Sequence, residues 1–338
     1  MTGPAVITFD AIHTRKKQEN LARMMAETAA AVLQIGNDQP RSDHCPICQG
    51  RELHHFTDKF GFRLERCGHC HHLFCNPMPS KAQLHYYYNS PMKAFENEFF
   101  IESFENRVPI FSRRIAIIQE YLSAGRLLDV GSAIGIFLTA LDRSKAPFAV
   151  HCCDPSDDAC QHLKRHHPRV QLHQAMVEEL QLDGQFDGIT MWDTLEHVQN
   201  PHEVAGAIRR LLRPGGYWFF STPNTTSFEW TVAGTDHVQI LPPGHINLFN
   251  LESVRVLLAS AGLSLIDYHT PNGSLDVSYV RKLLAAGDPG HRANAGHFIG
   301  ERIHDDDFAA ALAQLLVETR QAGNILVIAQ RPGEPAHV

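Results

Sequence analysis

Beyond Gly125 the chain alternates short apolar runs with amphipathic stretches. Residues 127–130, 148–153, 170–173, 189–192 and 217–221 read as strands, with two more at 263–268 and 325–330. Between those last two lie two helical patterns, 277–286 and 308–319, which predicts an insertion ahead of the final strand. Strands spaced by helices need cover on both faces, so the pattern predicts a parallel sheet with helices on either side. Upstream, Leu21, Met24, Met25, Ala29, Val32 and Leu33 recur at helical spacing and stop near Gly36 and Pro40, which predicts a docking helix. Residues 81–124 read as helical and aromatic, with Tyr86, Tyr87, Tyr88, Phe99 and Phe111 among them, and Gly125 closes them.

Between 43 and 79 the pattern disappears. Cys, His, Gly and aromatics replace aliphatics, and so few apolar side chains cannot form a core unaided. Cys45-Pro-Ile-Cys48 and Cys67-Gly-His-Cys70 are two CxxC knuckles, a spacing that presents four thiolates tetrahedrally to one Zn2+. Four thiolates close the coordination shell, so the metal is expected to be structural. His44, His69, His71, His72 and Cys75 crowd the knuckles, and a Cys3His set stays open as an alternative. No thioredoxin-like context surrounds either pair, which argues against a redox dithiol.

Residues 127–135, Leu-Leu-Asp-Val-Gly-Ser-Ala-Ile-Gly, form a strand that breaks into a glycine turn, with a helix expected from about Ile136. Such a turn lets backbone approach a ligand closely. The second strand ends in Cys153-Asp154-Pro155, a carboxylate placed to accept both ribose hydroxyls of an adenosine ligand. NAD-binding domains share this strand, turn and acid, so the turn alone does not decide between them.

The rest of the chain is more specific. Phe186-Asp187-Gly188-Ile189, then Trp192-Asp193-Thr194-Leu195-Glu196-His197-Val198, then Leu211-Leu212-Arg213-Pro214-Gly215-Gly216 and Ser221-Thr222-Pro223-Asn224 resemble the fourth-to-fifth-strand region of class I S-adenosylmethionine-dependent methyltransferases. The resemblance covers residues 125–270. It implies an α/β fold: a Rossmann-like seven-stranded sheet whose last strand, 325–330, runs antiparallel, here with an N-terminal zinc ribbon and helical additions. The implied division is an N-terminal helix (1–40), a zinc ribbon (41–80), a helical linker or lid (81–125), an S-adenosylmethionine-binding catalytic domain (126–271), a helical insertion (272–322) and the last strand (323–332). Carried over by position, Asp129, Gly131 and Gly135 shape the methionine pocket, Asp154 holds the ribose, and Asp193, Thr194 and Leu195 close one wall. Two positions depart from the pattern. Ala133 replaces the middle glycine, and Met176 stands where an acid often reads the adenine; Met176 would pack on the ring while the Val177 N–H bonds it.

Methyl transfer displaces a sulfonium in line and often requires loss of one proton. His245, in Pro242-Pro243-Gly244-His245-Ile246-Asn247, resembles the loop histidine of zinc-ribbon sugar C-methyltransferases and is the first candidate base; the plainer reading is that it caps the helix near Glu252 or lines the pocket. His197 is a second candidate, alongside a plainer role in ordering the cofactor loop. Tyr88 follows Asn76-Pro77-Met78-Pro79-Ser80, similar to the ribbon-to-catalytic linker of the same enzymes, and with Tyr87 would roof the cofactor or simply pack. His237, Asn224 and Asn272-Gly273-Ser274 are held as substrate contacts.

Hydrophobic residues at 43% and charged at 20% describe a soluble globular protein. The formal charge of -7, with no Lys/Arg run, disfavours nucleic acid as partner. The N-terminus carries no basic stretch and apolar h-region, and no eighteen apolar residues run together, so a cytoplasmic protein away from membranes is expected. The leading expectation is methyl transfer to a small molecule, a nucleotide-linked sugar or a secondary-metabolite intermediate, with the ribbon as a lid. An RNA methyltransferase using the ribbon is the alternative, against which stands a ribbon almost neutral in charge and the absence of the Asn-Pro-Pro-aromatic tetrad of exocyclic-amine methylases. A non-catalytic, cofactor-sensing interaction protein is the third reading, and a homodimer stays open.

Overall fold

A computed structural model describes residues 15–271 and 276–333, so the Asn272-Gly273-Ser274 segment lies outside the described residues. The chain opens on helix α1 (Arg15–Gln34), then a hairpin of β1 (Leu53–Lys59) and β2 (Phe62–Cys67), and a short β3 (Leu73–Cys75). The knuckles bracket this hairpin. Helix α1 lays Met25, Ala29 and Val32 against Phe62, Leu64 and Leu73, which supplies the aliphatic surface that the Cys-rich segment lacks.

Helices α2 (Lys81–Tyr88), α3 (Pro91–Glu102) and α4 (Phe104–Tyr121) follow. Ser80 and Gln83 form a capping box on α2, and Ser90 caps α3, which starts with Pro91. These signals cut the aromatic stretch into three helices where its periodicity alone reads as one.

The segment beyond Gly125 then alternates β4 (Gly125–Val130), α5 (Ile136–Ser144), β5 (Phe148–Cys153), α6 (Asp157–His166), β6 (Gln171–His173), β7 (Phe186–Trp192), α7 (Pro201–Leu211) and β8 (Leu212–Thr222). After α8 (Phe228–Ala233) come β9 (Asn247–Leu248), α9 (Leu251–Ser260) and β10 (Ser264–His269). Helices α10 (Val277–Ala285), α11 (Pro289–Ala295), α12 (His297–Arg302) and α13 (Asp306–Glu318) precede β11 (Ile325–Gln330).

Seven strands form one sheet in the order β10-β11-β8-β7-β4-β5-β6. β11 slots antiparallel between β8 and β10, while the β8-to-β6 half is parallel. The chain order reverses between β4 and β7, the switch point at which doubly wound sheets bind ligands. Both faces are buried, so the inner strands are continuous apolar runs; Phe219 and Phe220, both fully buried, point to opposite faces from β8.

The second sheet runs β1-β2-β3-β9, all antiparallel. Its fourth strand comes from the segment beyond Gly125, two residues after His245. Leu73 pairs with Leu248 and Phe74 with Asn247, and the Cys75 N–H donates to the Ile246 carbonyl at 3.0 Å. The ribbon is therefore fixed by main-chain bonds to the loop after β8, where a lid would ride free.

Phe219→Ala should cost about 3–5 kcal/mol of stability, the range for truncating a buried aromatic. Urea unfolding followed by circular dichroism checks it, and a loss under about 1 kcal/mol would mean that β8 is not the centre of the core.

Candidate active site

The turn after β4 holds Gly131, Ala133 and Gly135 at φ values of 72°, 46° and 77°. A side chain is strained in that left-handed region, so Ala133 carries a local cost of about 1–2 kcal/mol. Its N–H donates to Asp154 Oδ2 at 2.9 Å, which ties the strained turn to the end of β5. The other oxygen of Asp154 accepts the Ser156 N–H at 2.9 Å. A carboxylate has about four acceptor positions, so each oxygen keeps capacity for a further donor. Burial raises the Asp154 pKa above the ordinary carboxylate range. Asp129 is buried deeper, accepts the Thr190 hydroxyl at 2.8 Å, and is pushed by burial up to about 7.

Thr194 closes over the turn from the β7 side. A Cβ at Gly131 would come within 2.7 Å of its Oγ1, which is why a glycine stands there. Leu195 is fully buried in the core, so only its backbone is available to the cleft. Met176 is exposed at the start of the short turn Val177–Glu179, and the Val177 side chain is buried behind it.

Asp193 gathers the most partners. It sits at φ 47°, and accepts from Ser221 Oγ at 2.9 Å, Asn324 Nδ2 at 2.8 Å and Arg114 Nη2 at 3.1 Å. Although burial acts to raise it, the Arg114 guanidinium holds its pKa below the usual carboxylate range. The sequence reading missed Arg114, whose only signal is an arginine beside the apolar stripe Phe111, Ile115, Ile118 of α4. Its guanidinium lies 4.8 Å from the Phe111 ring and 4.9 Å from the Trp192 ring, and Nε and Nη1 are buried without a partner among the described residues.

The two candidate histidines meet. His245 and His197 stand edge to face with ring centroids 4.7 Å apart. His197 Nδ1 is 3.0 Å from the Gly244 carbonyl and His245 Nδ1 is 2.8 Å from the Gln239 carbonyl. A carbonyl oxygen only accepts, so both rings carry the proton on Nδ1 and leave the Nε2 lone pair free. His245 does not cap the following helix; the Asn250 side chain does that. Burial depresses both imidazoles, His197 well below its ordinary value, and burial holds Glu196 well above the carboxylate range. A carboxylate oxygen of Glu196 and ring nitrogens of both histidines lie within 4.8 Å of one another.

Tyr88 packs edge-on to Tyr87 at 5.1 Å and lies 6.3 Å from His197, with Lys93 Nζ 5.6 Å from its ring. Tyr87 Oη reaches so close to Gly244 that a Cβ there would come within 2.3 Å of it, so any side chain at 244 displaces the aromatic pair. His237, also buried, stacks on Trp230 at 4.4 Å and is pushed down by burial to about 3. Asn224 accepts from Thr226, ordering the turn after β8.

In the ribbon, Cys45 Sγ is 3.6 Å from Cys70 Sγ and Cys48 Sγ 3.4 Å from Cys67 Sγ, with all four within 4.8 Å. A tetrahedral Zn–S4 centre with bonds of about 2.3 Å needs sulfur atoms about 3.8 Å apart, so the cage fits zinc. Main-chain N–H groups of Ile47, Gly50 and His69 each point at a sulfur from 3.4 Å, as thiolate ligands require. His72 turns its Nε2 to Asn247 at 2.9 Å, and Cys75 is pushed by burial up to about 12; the converging set is the four cysteines.

A family described as a methyltransferase domain matches residues 106–268. The ubiquinone biosynthesis O-methyltransferase of Dechloromonas aromatica is 39% identical over 126 residues, 36% of this chain and 51% of that protein. Its counterpart in Bordetella avium is 32% identical over 178 residues, 49% of this chain and 72% of that protein. This chain thus spans about half the length of the first of these relatives. The solved structure of phosphoethanolamine N-methyltransferase 2 from Haemonchus contortus, in complex with S-adenosyl-L-methionine, is 18% identical with a TM-score of 0.41, covering 65% of this chain and 52% of that one. By the family match and these relatives, the chain belongs to the S-adenosylmethionine-dependent methyltransferases.

Proposed function

We propose that the protein transfers the methyl group of S-adenosylmethionine to a hydroxyl or acidic carbon of a small-molecule acceptor, with His245 as general base and a structural zinc in the four-cysteine cage. One observation carries this reading: two neutral imidazoles with free Nε2 atoms lie at the carboxyl edge of the sheet, beside the Asp193 loop and the glycine turn. The curated relatives, named as O-methyltransferases of ubiquinone biosynthesis, support a small-molecule acceptor.

The donor supplies an electrophilic methyl on a sulfonium. Asp154 would hold its ribose hydroxyls, the backbone of Gly131, Ala133 and Gly135 would line its methionine portion, and Met176 with the Val177 N–H would take the adenine. The buried Arg114 guanidinium, whose Nε and Nη1 have no partner among the described residues, is a cation suited to the methionine carboxylate. Asp193, Thr194 and the Leu195 backbone form the wall between donor and acceptor. His245 Nε2 takes the acceptor proton as the methyl moves; its depressed pKa keeps it unprotonated at neutral pH and ready to accept. His197, itself neutral, packs on it, and Tyr88 roofs the acceptor side. The ribbon, through β9, braces the loop that carries His245.

S-adenosylhomocysteine should bind in the micromolar range by calorimetry, and Asp154→Ala should lose more than about 1 kcal/mol of that affinity. Wild-type protein without binding sinks the donor assignment. Purified protein should carry one zinc per chain by atomic emission, and Cys70→Ser should abolish it and lower the melting temperature; zinc retained in the variant rejects the four-cysteine cage.

His245→Gln should reduce turnover about 10²- to 10⁴-fold, the contribution of one positioned base. Because burial lowers the His245 pKa, kcat/KM should be flat above pH 7 and fall in acid with an inflection below 6.5. An inflection above 7 excludes His245. The same sign governs stability: His197, His237 and His245 are neutral in the fold, so their contribution is complete above pH 6.5 and is lost as the pH drops through their depressed values. Urea midpoints at pH 7.5 and 5 check this, and equal midpoints refute it.

A further inference from the structure

The loop that carries His245 is held on two sides, and its second tether runs through residues to which the chemistry above gives no role. On one side Ile246 and Asn247 pair with the ribbon. On the other, Gln239 Nε2 donates to Asn324 Oδ1 at 3.0 Å, Asn324 Nδ2 donates to Asp193 Oδ1 at 2.8 Å, and the Gln239 main-chain carbonyl receives His245 Nδ1 at 2.8 Å. Three distant pieces of chain therefore meet: the end of β7, the entry to β11, and the loop after α8.

The polarity of this chain is fixed from one end. Asp193 is a carboxylate held ionised by Arg114, so it only accepts. Asn324 must turn its NH2 toward it and its oxygen toward Gln239, and Gln239 must then present its own NH2. With its side chain anchored, residue 239 places its carbonyl where it selects the Nδ1–H tautomer of His245. Other charged and titratable groups face His245, namely Lys93 and Glu96 of α3, Asp193, Glu196 and His197 of the β7 loop, and His237 of its own loop. The Gln239 carbonyl is the one that hydrogen-bonds its ring.

We infer that Asn324 and Gln239 are positioning residues that transmit the placement of Asp193, at the donor side of the cleft, to the tautomer and position of His245. This rests on His245 being the base. Asn324 sits immediately before β11, whose antiparallel insertion next to β8 brings an amide from near the chain's end over the β7 loop. On this view the late strand completes the site as well as the sheet.

The test reads the imidazole itself and needs no acceptor. The full chain, labelled with 15N-histidine, is compared as wild type, Asn324→Asp, Gln239→Glu and Gln239→Met, each checked for folding by its melting curve; His245→Asn assigns the resonance. In wild type, with or without S-adenosylhomocysteine, the His245 nitrogens should appear widely separated, with Nδ1 protonated. The two isosteric variants each remove one NH2 donor without changing shape, and Gln239→Met removes it without adding charge. In these variants the two nitrogen resonances should converge toward a tautomeric average and the His245 titration midpoint should move. Folded variants with His245 resonances and titration identical to wild type would overturn the inference and reduce Asn324 to a packing residue. Loss of S-adenosylhomocysteine binding in wild type would instead count against the donor reading, and loss of turnover in His245→Gln without any effect of the amide variants would leave the base reading standing and this one refuted.

Discussion

A two-residue ladder to the ribbon and a main-chain bond to the β7 loop, meeting at residues 246–248, govern how the molecule is put together. β9 is only Asn247–Leu248, too short to be stable by itself, yet it closes the ribbon sheet against β3 while Ile246 N–H donates to the Glu196 carbonyl at 2.9 Å on the other side. Asn247 spans both bodies: its Oδ1 meets His72 at 2.9 Å and its Nδ2 donates to the Val198 carbonyl at 2.7 Å. Asn250 adds a bond to the Cys70 carbonyl at 3.1 Å. A small Cys-rich segment that cannot bury a core thus finds its missing strand in the catalytic segment. The candidate base stands at that junction, so order in the cage and order at His245 are linked through three consecutive residues.

Two strained residues stand where the ligand is expected. Ala133 and Asp193, both with positive φ, sit on the two loops that flank the switch point, and each is held by hydrogen bonds to a neighbouring strand end. Costs of this size persist when surrounding structure overdetermines the conformation. Here Asp154 fixes the first loop and Ser221, Asn324 and Arg114 fix the second.

What the chain discloses in one dimension follows the range of the interaction. The parallel strands are apolar runs because both faces are covered, so β4, β5, β7 and β8 are legible from local pattern, and β11 likewise. The CxxC spacing is chemistry written at fixed offsets and needs no tertiary information. β9 was invisible, since two residues have no periodicity. The split of residues 81–124 into three helices lay partly in Ser80 and Ser90, whose side chains cap α2 and α3; Ser103 at the α3–α4 break makes no side-chain cap. Arg114 and Asn324 act on Asp193 from 79 and 131 residues away, and an isolated Arg or Asn carries no local mark of such a role.

A candidate base in a half-buried cleft faces an electrostatic conflict that this arrangement resolves. A buried imidazole is easily kept neutral, but neutrality leaves two tautomers of similar energy, and only one presents Nε2 as an acceptor. A nearby carboxylate could select the tautomer, at the cost of raising the imidazole pKa and charging the site. Here a neutral carbonyl does the selecting for each ring, from Gly244 for His197 and from Gln239 for His245. The carboxylates that stand close are disarmed in two different ways. Burial pushes the Glu196 carboxyl well above the carboxylate range, whereas Asp193 and Glu96 are each covered by a cation, Arg114 and Lys93. Asp193 makes no direct hydrogen bond to the imidazole; two amides, Asn324 and Gln239, stand between them.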